Sequence, residues 1–456
     1  MDSIDLLIFS GLLVSWIGIG FYQPRKIHLE STYLFADRKI GWMSLTATLV
    51  MTEFNSATLI SFSSLGYTAG FWALSLPFIF LCGLVFYALS VAKKWKSFDG
   101  TSVAGFFSER YGRNLGICTS LLLIISMLGF SAVYIKSLTL LFQPLFPSVN
   151  PWIMSGLMLA IIFCMSLRGG ILAIIRTHLV SFIVVLLFFP LAAFIVWKAP
   201  AATYELPLSL DQAQEILPFR FIFSLIVLTM FTYILAPWYG QKIFSAKSKK
   251  IAYRSVIAAA ILIFFLYGSA ILATALFRHK GFKSPSSELA FPTLINCCFP
   301  KGFKGLAYAL LFATTATTLT GVWNAMAAMW IGDFMKPSTA TEGCFRSIVA
   351  TSIFALISFI LSNTLIDKVF EKMILANIPI AALSFGLLAG FYWKSVSYKG
   401  VLISIMMGCF CGIGAYCLFG EERCYTWYWA AYGIPLIFIS GFVGSLIFKD
   451  RCLRSA

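Results

Sequence analysis

The chain has 456 residues, of which 60% are hydrophobic and 11% are charged. A water-soluble domain does not need that much apolar surface, and apolar runs near the roughly 20 residues of a membrane-spanning helix recur from end to end. The net charge of +16 would suit nucleic acid, but the basic residues form short clusters between apolar runs, which is typical of cytoplasmic loops. The composition therefore predicts an all-α polytopic protein of the lipid bilayer and argues against a nucleic-acid partner.

The apolar runs define thirteen candidate membrane spans. They cover residues 4–22, 41–66, 71–92, 114–142, 152–167, 171–197, 218–239, 253–277, 304–331, 345–363, 374–393, 400–419 and 426–448. Most Lys and Arg residues fall in loops that are cytoplasmic if the N-terminus is outside. We therefore expect a multi-pass protein of the cell membrane with an external N-terminus and a cytoplasmic C-terminus.

The stretch LVMTEFNSATLISFSSLGYTAG places a carboxylate and several small polar groups inside the second span. An ionisable side chain at mid-membrane costs at least about 2.5 kcal/mol, so Glu53 needs a partner, a proton or a water-filled cavity. Asn55 and Ser56 can hydrogen-bond the backbone and favour local unwinding. Unwinding at this depth frees carbonyls, here near Met51 and Phe54, and such carbonyls bind Na⁺.

A second polar cluster is the stretch LLFATTATTLTGVWNA, which has five Thr in seven residues. Thr314, Thr317 and Thr318 are spaced i, i+3 and i+4, so they share one helix face. Their hydroxyl and carbonyl oxygens are hard ligands that suit Na⁺. The alternative is that these hydroxyls bond their own i−4 carbonyls or let helices pack closely.

The third interruption is the stretch FTYILAPWYGQKIFSAKS, where Pro237 breaks a helix among aromatic residues. A broken span in each half of a chain points to a binding site, and Tyr233, the deeper residue, is the better substrate contact. For Trp238 and Tyr239, an interfacial aromatic belt is an equally good interpretation, with Lys242 marking the cytoplasmic end of the helix.

Two isolated polar residues have no assigned role from their position alone. Lys136 is expected to extend towards the membrane surface, although an ion pair with Glu53 is an alternative. A satisfied buried histidine is the common outcome for a residue such as His178.

Six stretches in order resemble the sodium:solute symporter family, which contains proline, pantothenate, sialic acid and sugar cotransporters. They are STYLFADRKIGWMSLTATL, GYTAGFWA, FFSERYG, LRGGILAIIRTHLV, LAFPTLINCCFPKGFKGLAYALLFATTATTLTGVWNAMAAMWIGDFMKP and GFYWKSVSYKG. The resemblance implies one transporter domain with a leucine-transporter-like core of two inverted five-helix repeats. The repeats would be 41–197 and 218–393, with an extra N-terminal helix at 4–22 and two C-terminal helices and a tail at 400–456.

The resemblance also implies a set of site residues. The sodium ligands would be the carbonyls of Met51, Phe54 and Thr314 and the hydroxyls of Thr317 and Thr318. The substrate contacts would come from Asn55, Ser56, Thr58 and Tyr233, and Glu53 lies where the proline-transporter branch carries an acid. Trp238, beside the break at Pro237, completes the candidate substrate residues. Na⁺ would be the coupling ion, the cargo a small organic solute, and the working unit a monomer without a cofactor.

This chain departs from the family pattern at two positions. His178 replaces an acid and Ser181 replaces a glutamine, which puts a second cation site in doubt. The third span has no acid where sugar-binding members use one, so a sugar is disfavoured. We predict a sodium-coupled symporter that imports an amino acid or carboxylate-type solute by alternating access.

Two alternatives stay open at the level of sequence. One is a proton-coupled carrier that uses Glu53 and His178, and another is a membrane sensor or channel-like protein. An enzyme is disfavoured because no nucleophile–base set or metal cluster is visible.

Overall fold

The computed structural model describes residues 2–21, 39–98, 100, 102–166, 170–203, 208–335, 340–421 and 424–448. Within these ranges the protein is almost entirely helical, and the β-type pairing is a single isolated bridge between Ile40 and Ala246. Parts of the family-like stretches at 31–38, 167–169 and 336–337 lie outside the described residues, as does the tail from residue 449.

Eighteen α-helical segments follow one another in the described chain. They are α1 (Ser3–Phe21), α2 (Trp42–Glu53), α3 (Ser56–Ala69), α4 (Phe78–Ser97), α5 (Val103–Tyr111), α6 (Arg113–Phe142), α7 (Pro151–Ser166), α8 (Gly170–Lys198), α9 (Leu210–Ile216), α10 (Phe219–Tyr233), α11 (Pro237–Phe244), α12 (Lys249–His279), α13 (Ala290–Cys298), α14 (Phe303–Phe334), α15 (Ala340–Thr364), α16 (Val369–Tyr392), α17 (Tyr398–Phe419) and α18 (Tyr425–Ile447). A short 3-10 helix, Gly70–Ser75, joins α3 to α4.

Within the described ranges, nine helices are long and apolar enough to cross a membrane, or up to ten if a bent pair is counted as one span. The bent pair is α9 with α10, which meet at 50°. Shorter apolar helices are Ser3–Trp16 in α1 and Pro151–Phe163 in α7. The polytopic all-α class is therefore confirmed, whereas the count of thirteen spans is not.

The second span is broken at the polar residues, as the sequence predicted. α2 ends at Glu53, Phe54 and Asn55 are extended, and α3 begins at Ser56. The side chain of Asn55 caps α3 by accepting a 3.1 Å hydrogen bond from the amide of Thr58. The local sequence therefore both ends one helix and starts the next.

The seventh expected span is also interrupted. α10 ends at Tyr233, the chain turns through Ala236, and α11 starts with Pro237 at its first position. Proline suits that position because it has no amide hydrogen to satisfy and its φ angle is already helical. The first helix of each expected repeat is therefore discontinuous.

The threonine-bearing helix α14 lies at the centre of the bundle. It packs against α1, α6, α8 and α15, and 94% of its most apolar window is buried. Ala, Gly and Thr allow neighbouring helices to approach it closely, as is usual inside membrane bundles. The predicted cation ligands therefore face protein rather than lipid.

Candidate functional site

The hydroxyl of Thr318 joins α14 to the last turn of α2. Its Oγ1 lies 3.2 Å from the carbonyl oxygen of Met51, 3.3 Å from that of Thr52 and 2.9 Å from that of Thr314. Four oxygen atoms from two helices therefore meet at one buried point. Oxygen atoms are the ligands that hard cations such as Na⁺ prefer.

Thr317 lies on the same face one residue earlier. Its Oγ1 donates to the carbonyls of Ala313, at 2.9 Å, and Thr314, at 3.0 Å. Phe54 lies in the break between α2 and α3, and its ring centroid lies 4.6 Å from that of Phe189. Four of the five predicted sodium ligands therefore lie together: the carbonyls of Met51 and Thr314 and the hydroxyls of Thr317 and Thr318. The fifth residue, Phe54, lies in the break, three residues after Met51.

The break in the second span is held by side chains from distant helices. The carbonyl of Glu53 accepts hydrogen bonds from the hydroxyl of Tyr267, at 2.8 Å, and from the side-chain amide of Asn55, at 2.7 Å. The amide of Ser56 donates to Oγ1 of Thr315 at 2.9 Å. Thr315 was not among the predicted site residues. Several threonines lie side by side in this part of α14, and only the packing of the helices shows that Thr315 is the one that contacts α3.

A cavity of about 70 Å³ lies beside this break, between α3, α4, α6, α10, α11, α16 and α18. Eight aromatic side chains line it together with Thr58, Thr229, Thr232, Asn377 and Glu53. The aromatic residues are Phe62, Phe80, Phe130, Tyr134, Tyr233, Trp238, Phe370 and Trp429. Among the described residues, Glu53 is the one acidic or basic side chain of this lining.

The predicted substrate residues divide into two groups. Glu53, Thr58, Tyr233 and Trp238 line the cavity. Asn55 and Ser56 do not line it. The side chain of Asn55 donates a hydrogen bond to the main chain at the break, and Oγ of Ser56 lies 2.6 Å from Oγ of Ser137 on α6. Sequence reasoning missed the contribution of α4, α6, α16 and α18 to the cavity, because their aromatic residues resemble lipid-facing ones.

The partner of the buried carboxylate is a tyrosine from the second half of the chain. Tyr233 donates a hydrogen bond from its hydroxyl to Oε1 of Glu53. No Lys or Arg amine of the described residues lies within 4.0 Å of Glu53. Lys136 does not form the alternative ion pair with Glu53.

A second buried polar group surrounds Thr48, which lies in α2 before the break. Nδ1 of His178 lies 2.7 Å from Oγ1 of Thr48, and Nζ of Lys242 lies 3.4 Å from its carbonyl. Among the described residues, Nε2 of His178 and Oγ of Ser181 have no hydrogen-bond partner. Lys242 is only 3% exposed, so its ammonium group lies within the helix bundle beside α2 rather than on the surface of the protein.

The fold matches known carriers along nearly its full length. It superimposes on a substrate-bound, outward-open Na⁺-coupled sialic acid symporter with a TM-score of 0.79 and 16% identity, covering 100% of both chains. It matches Mhp1, a nucleobase-cation-symport-1 family transporter, in a closed conformation with bromovinylhydantoin bound, with a TM-score of 0.53 and 13% identity. That match covers 93% of this chain and 96% of Mhp1. The core is therefore leucine-transporter-like.

Sequence comparison leads to the same group of proteins. The sodium/glucose cotransporter 1 of Oryctolagus cuniculus is 23% identical over 148 residues, which are 30% of this chain and 22% of that relative. The chain thus matches about a fifth of the length of this curated relative. The sequence model of the sodium:solute symporter family matches residues 33–408, and this multi-pass membrane protein belongs to the sodium:solute symporter family.

Proposed function

We propose that the protein is a sodium-coupled symporter that imports a small organic solute by alternating access. Family membership supports this function, and the observation that carries it is the bridge from Thr318 to the carbonyl of Met51 at 3.2 Å. The bridge places hydroxyl and carbonyl oxygens of α14 against the broken end of α2, where Na⁺ needs several oxygen ligands at once.

The proposed sodium ligands are the carbonyls of Met51, Phe54 and Thr314 and the hydroxyls of Thr317 and Thr318. The two hydroxyls donate to carbonyl oxygens in the structure. Bound Na⁺ would replace those hydrogen bonds with ion–oxygen contacts and hold the break in one geometry. Because the break borders the cavity, Na⁺ and solute would favour the same conformation, and each would raise the affinity of the other by an equal factor.

The coupling energy comes from the membrane. An inward-moving Na⁺ releases about 2.3 kcal/mol per 100 mV of membrane potential, in addition to its concentration term. We place the N-terminus outside and the C-terminus in the cytoplasm of a cell-membrane protein, because most basic residues then face the cytoplasm.

The proposed working unit is a monomer, since the cavity and the threonine cluster both lie within one chain. It needs no cofactor beyond the coupling ion. The two broken helices, α2–α3 and α10–α11, support the assignment of 41–197 and 218–393 as inverted repeats.

The sodium site can be tested without knowing the cargo. Purified protein is melted in NaCl and in KCl at equal ionic strength, and a Na⁺-specific rise in Tm reports binding to the folded state. We expect the double variant Thr317→Ala, Thr318→Ala to lose this rise.

Thr314→Ala is the matched control for that experiment. Its hydroxyl bonds Leu311 of its own helix, at 3.0 Å, and the proposed ligand is its carbonyl, which alanine retains. The control should therefore keep the Na⁺ response. An unaltered response in the double variant would refute the site, and cargo uptake that follows a pH gradient without Na⁺ would select the proton-coupled alternative.

A further inference from the structure

The central cavity has a lining that is rich in aromatic side chains and, among the described residues, contains a single acidic one. Its described lining combines eight aromatic side chains with one carboxylate, that of Glu53, and contains no Lys, Arg or His. Trp238 and Trp429 approach from α11 and α18, and Phe130 and Tyr134 from α6. Aromatic rings present negative faces, and several rings around one point form a cage that favours a cation.

The geometry points to a cargo that carries an organic ammonium group, which binds in this aromatic cage against the carboxylate of Glu53. This inference rests on the proposed function, because it names the class of solute that the symporter carries. It replaces the expectation of a carboxylate-type solute, because the described lining offers an anion no cationic partner and would place it beside Glu53.

Glu53 is positioned to bind the ammonium group of a solute. Its side chain is buried, one oxygen accepts the hydrogen bond from Tyr233, and the residue still lines the cavity. A buried carboxylate without a close counter-charge is costly, so a cationic ligand gains much of its binding free energy by supplying that charge.

The two nearby lysines do not supply the counter-charge. Nζ of Lys242 lies more than 4.0 Å from Glu53 and is directed to the carbonyl of Thr48, 3.4 Å away. Lys242 acts on Glu53 only at longer range, and it does not line the cavity. Lys136 is half-buried and forms no ion pair with Glu53.

A second cavity, of about 280 Å³, adjoins the first and shares Phe370 and Ile374 with it. Its described lining includes Glu215, Glu371 and Glu421 and no Lys or Arg. In the proposed orientation this cavity opens on the outer side. A concave acidic surface there would raise the local concentration of a cationic solute before it reaches the aromatic cage.

Two lysines partly neutralise this outer cavity without reversing its sign. Lys368 lies 2.9 Å from Glu371, and Lys372 lies 3.2 Å from Asp367 and 3.8 Å from Glu421. With Glu215, the region has four carboxyl groups and two ammonium groups. Burial and the adjacent Glu371 raise the pKa of Glu421 to about 7, so the region keeps an excess of negative charge of less than two. The aromatic cage and the outer cavity therefore both favour a positively charged cargo.

The test compares two ligands of the same shape. Choline is the charged probe, and 3,3-dimethyl-1-butanol, which replaces its nitrogen with carbon, is the neutral control. Binding to purified wild-type protein is measured by quenching of tryptophan fluorescence and by isothermal titration calorimetry, in NaCl with no other organic cation. We expect choline to bind at least about tenfold more tightly than its neutral isostere.

Variants then locate the binding site. Glu53→Gln should reduce choline affinity by about tenfold or more, and Trp238→Leu should weaken it as well while leaving Glu53 in place. If Glu53→Gln does not fold, the ligand pair and the Trp238 variant still decide the question. Equal affinity for both ligands, or tighter binding of propionate than of choline, would overturn the proposal.

The outcome separates this inference from the proposed function. A Na⁺-specific rise in Tm without choline selectivity would leave the symporter standing and remove the ammonium cargo. Choline selectivity without any Na⁺ response would keep the cargo class and remove sodium coupling.

Discussion

The hydroxyl of Tyr267, on α12, donates a 2.8 Å hydrogen bond to the main-chain carbonyl of Glu53 at the end of α2. The two residues are 214 positions apart in sequence, yet the bond satisfies a carbonyl that the helix break leaves without an intrahelical donor. The shape of the proposed sodium site therefore depends on a helix that contributes no predicted ligand.

Tyr267→Phe should weaken Na⁺ binding while leaving the fold intact. The carbonyl of Glu53 keeps its bond from Asn55, so the expected loss is about 1 kcal/mol of stability. The Na⁺ concentration for half-maximal thermal stabilisation should rise, since Na⁺ must then order a looser segment. Tyr308→Phe is the control, because that buried hydroxyl bonds Asn296 of α13 and not the break. An unchanged Na⁺ midpoint in Tyr267→Phe would contradict this account.

Asn55→Ala should destabilise the start of α3. The variant loses the bond from the amide of Thr58 and the bond to the carbonyl of Glu53, at an expected total cost of about 1–2 kcal/mol. Asn55→Ser retains a capping oxygen and should fall between alanine and wild type. Thermal unfolding of the three purified proteins tests this order, and equal Tm values would show that the cap contributes nothing.

Asp5 should anchor the N-terminal helix to α14. Its buried Oδ1 accepts hydrogen bonds from the amides of Gly302, at 2.7 Å, and Gly305, at 3.1 Å, at the positive end of the α14 dipole. We expect Asp5→Ala to cost about 1–3 kcal/mol, because two buried amides lose their acceptor.

A neighbouring acid provides the control for that prediction. Asp2 forms a 3.0 Å ion pair with Lys301, but both side chains are exposed. Asp2→Ala should therefore change stability much less than Asp5→Ala does. Chemical unfolding of both variants in the same detergent measures the contrast, and an equal loss would show that burial of Asp5 is not what matters.

Lys242→Met should raise the Tm of the protein. The ammonium group is buried and has a single acceptor at 3.4 Å among the described residues, whereas methionine keeps the length of the side chain without its charge. Lys247→Met, at an exposed position in the turn before α12, is the control and should leave the Tm unchanged. A lower Tm for Lys242→Met would mean that the buried ammonium has a stabilising partner, and the interpretation of this group as incompletely compensated would be wrong.

Several features of the fold could be predicted from local sequence because their cause is local. Glu53, Asn55 and Ser56 interrupt an apolar run, and the break in the second span lies among them. Pro237 also lies at the break in the seventh expected span, where it is the first residue of α11. The threonine spacing likewise predicts a shared helix face, and α14 presents Thr318 to α2.

The short helices between spans were missed for a different reason. α5, α9 and α13 have only nine, seven and nine residues, too few for an apolar period to stand out. One local signal was present for α9, since Ser209 and Gln212 form a capping box.

What the sequence determined by itself was the class of the protein, the breaks near Phe54 and Pro237 and the polarity of each span, because these follow from hydropathy and backbone chemistry within a few residues. Tertiary structure alone decided which residues meet. It paired Glu53 with Tyr233, buried Lys242 beside Thr48 and selected eight aromatic rings from 45 Phe, 12 Trp and 18 Tyr to surround one carboxylate. An aromatic residue has the same local signature whether it faces lipid or a cavity, so only the packing of the helices distinguishes the two.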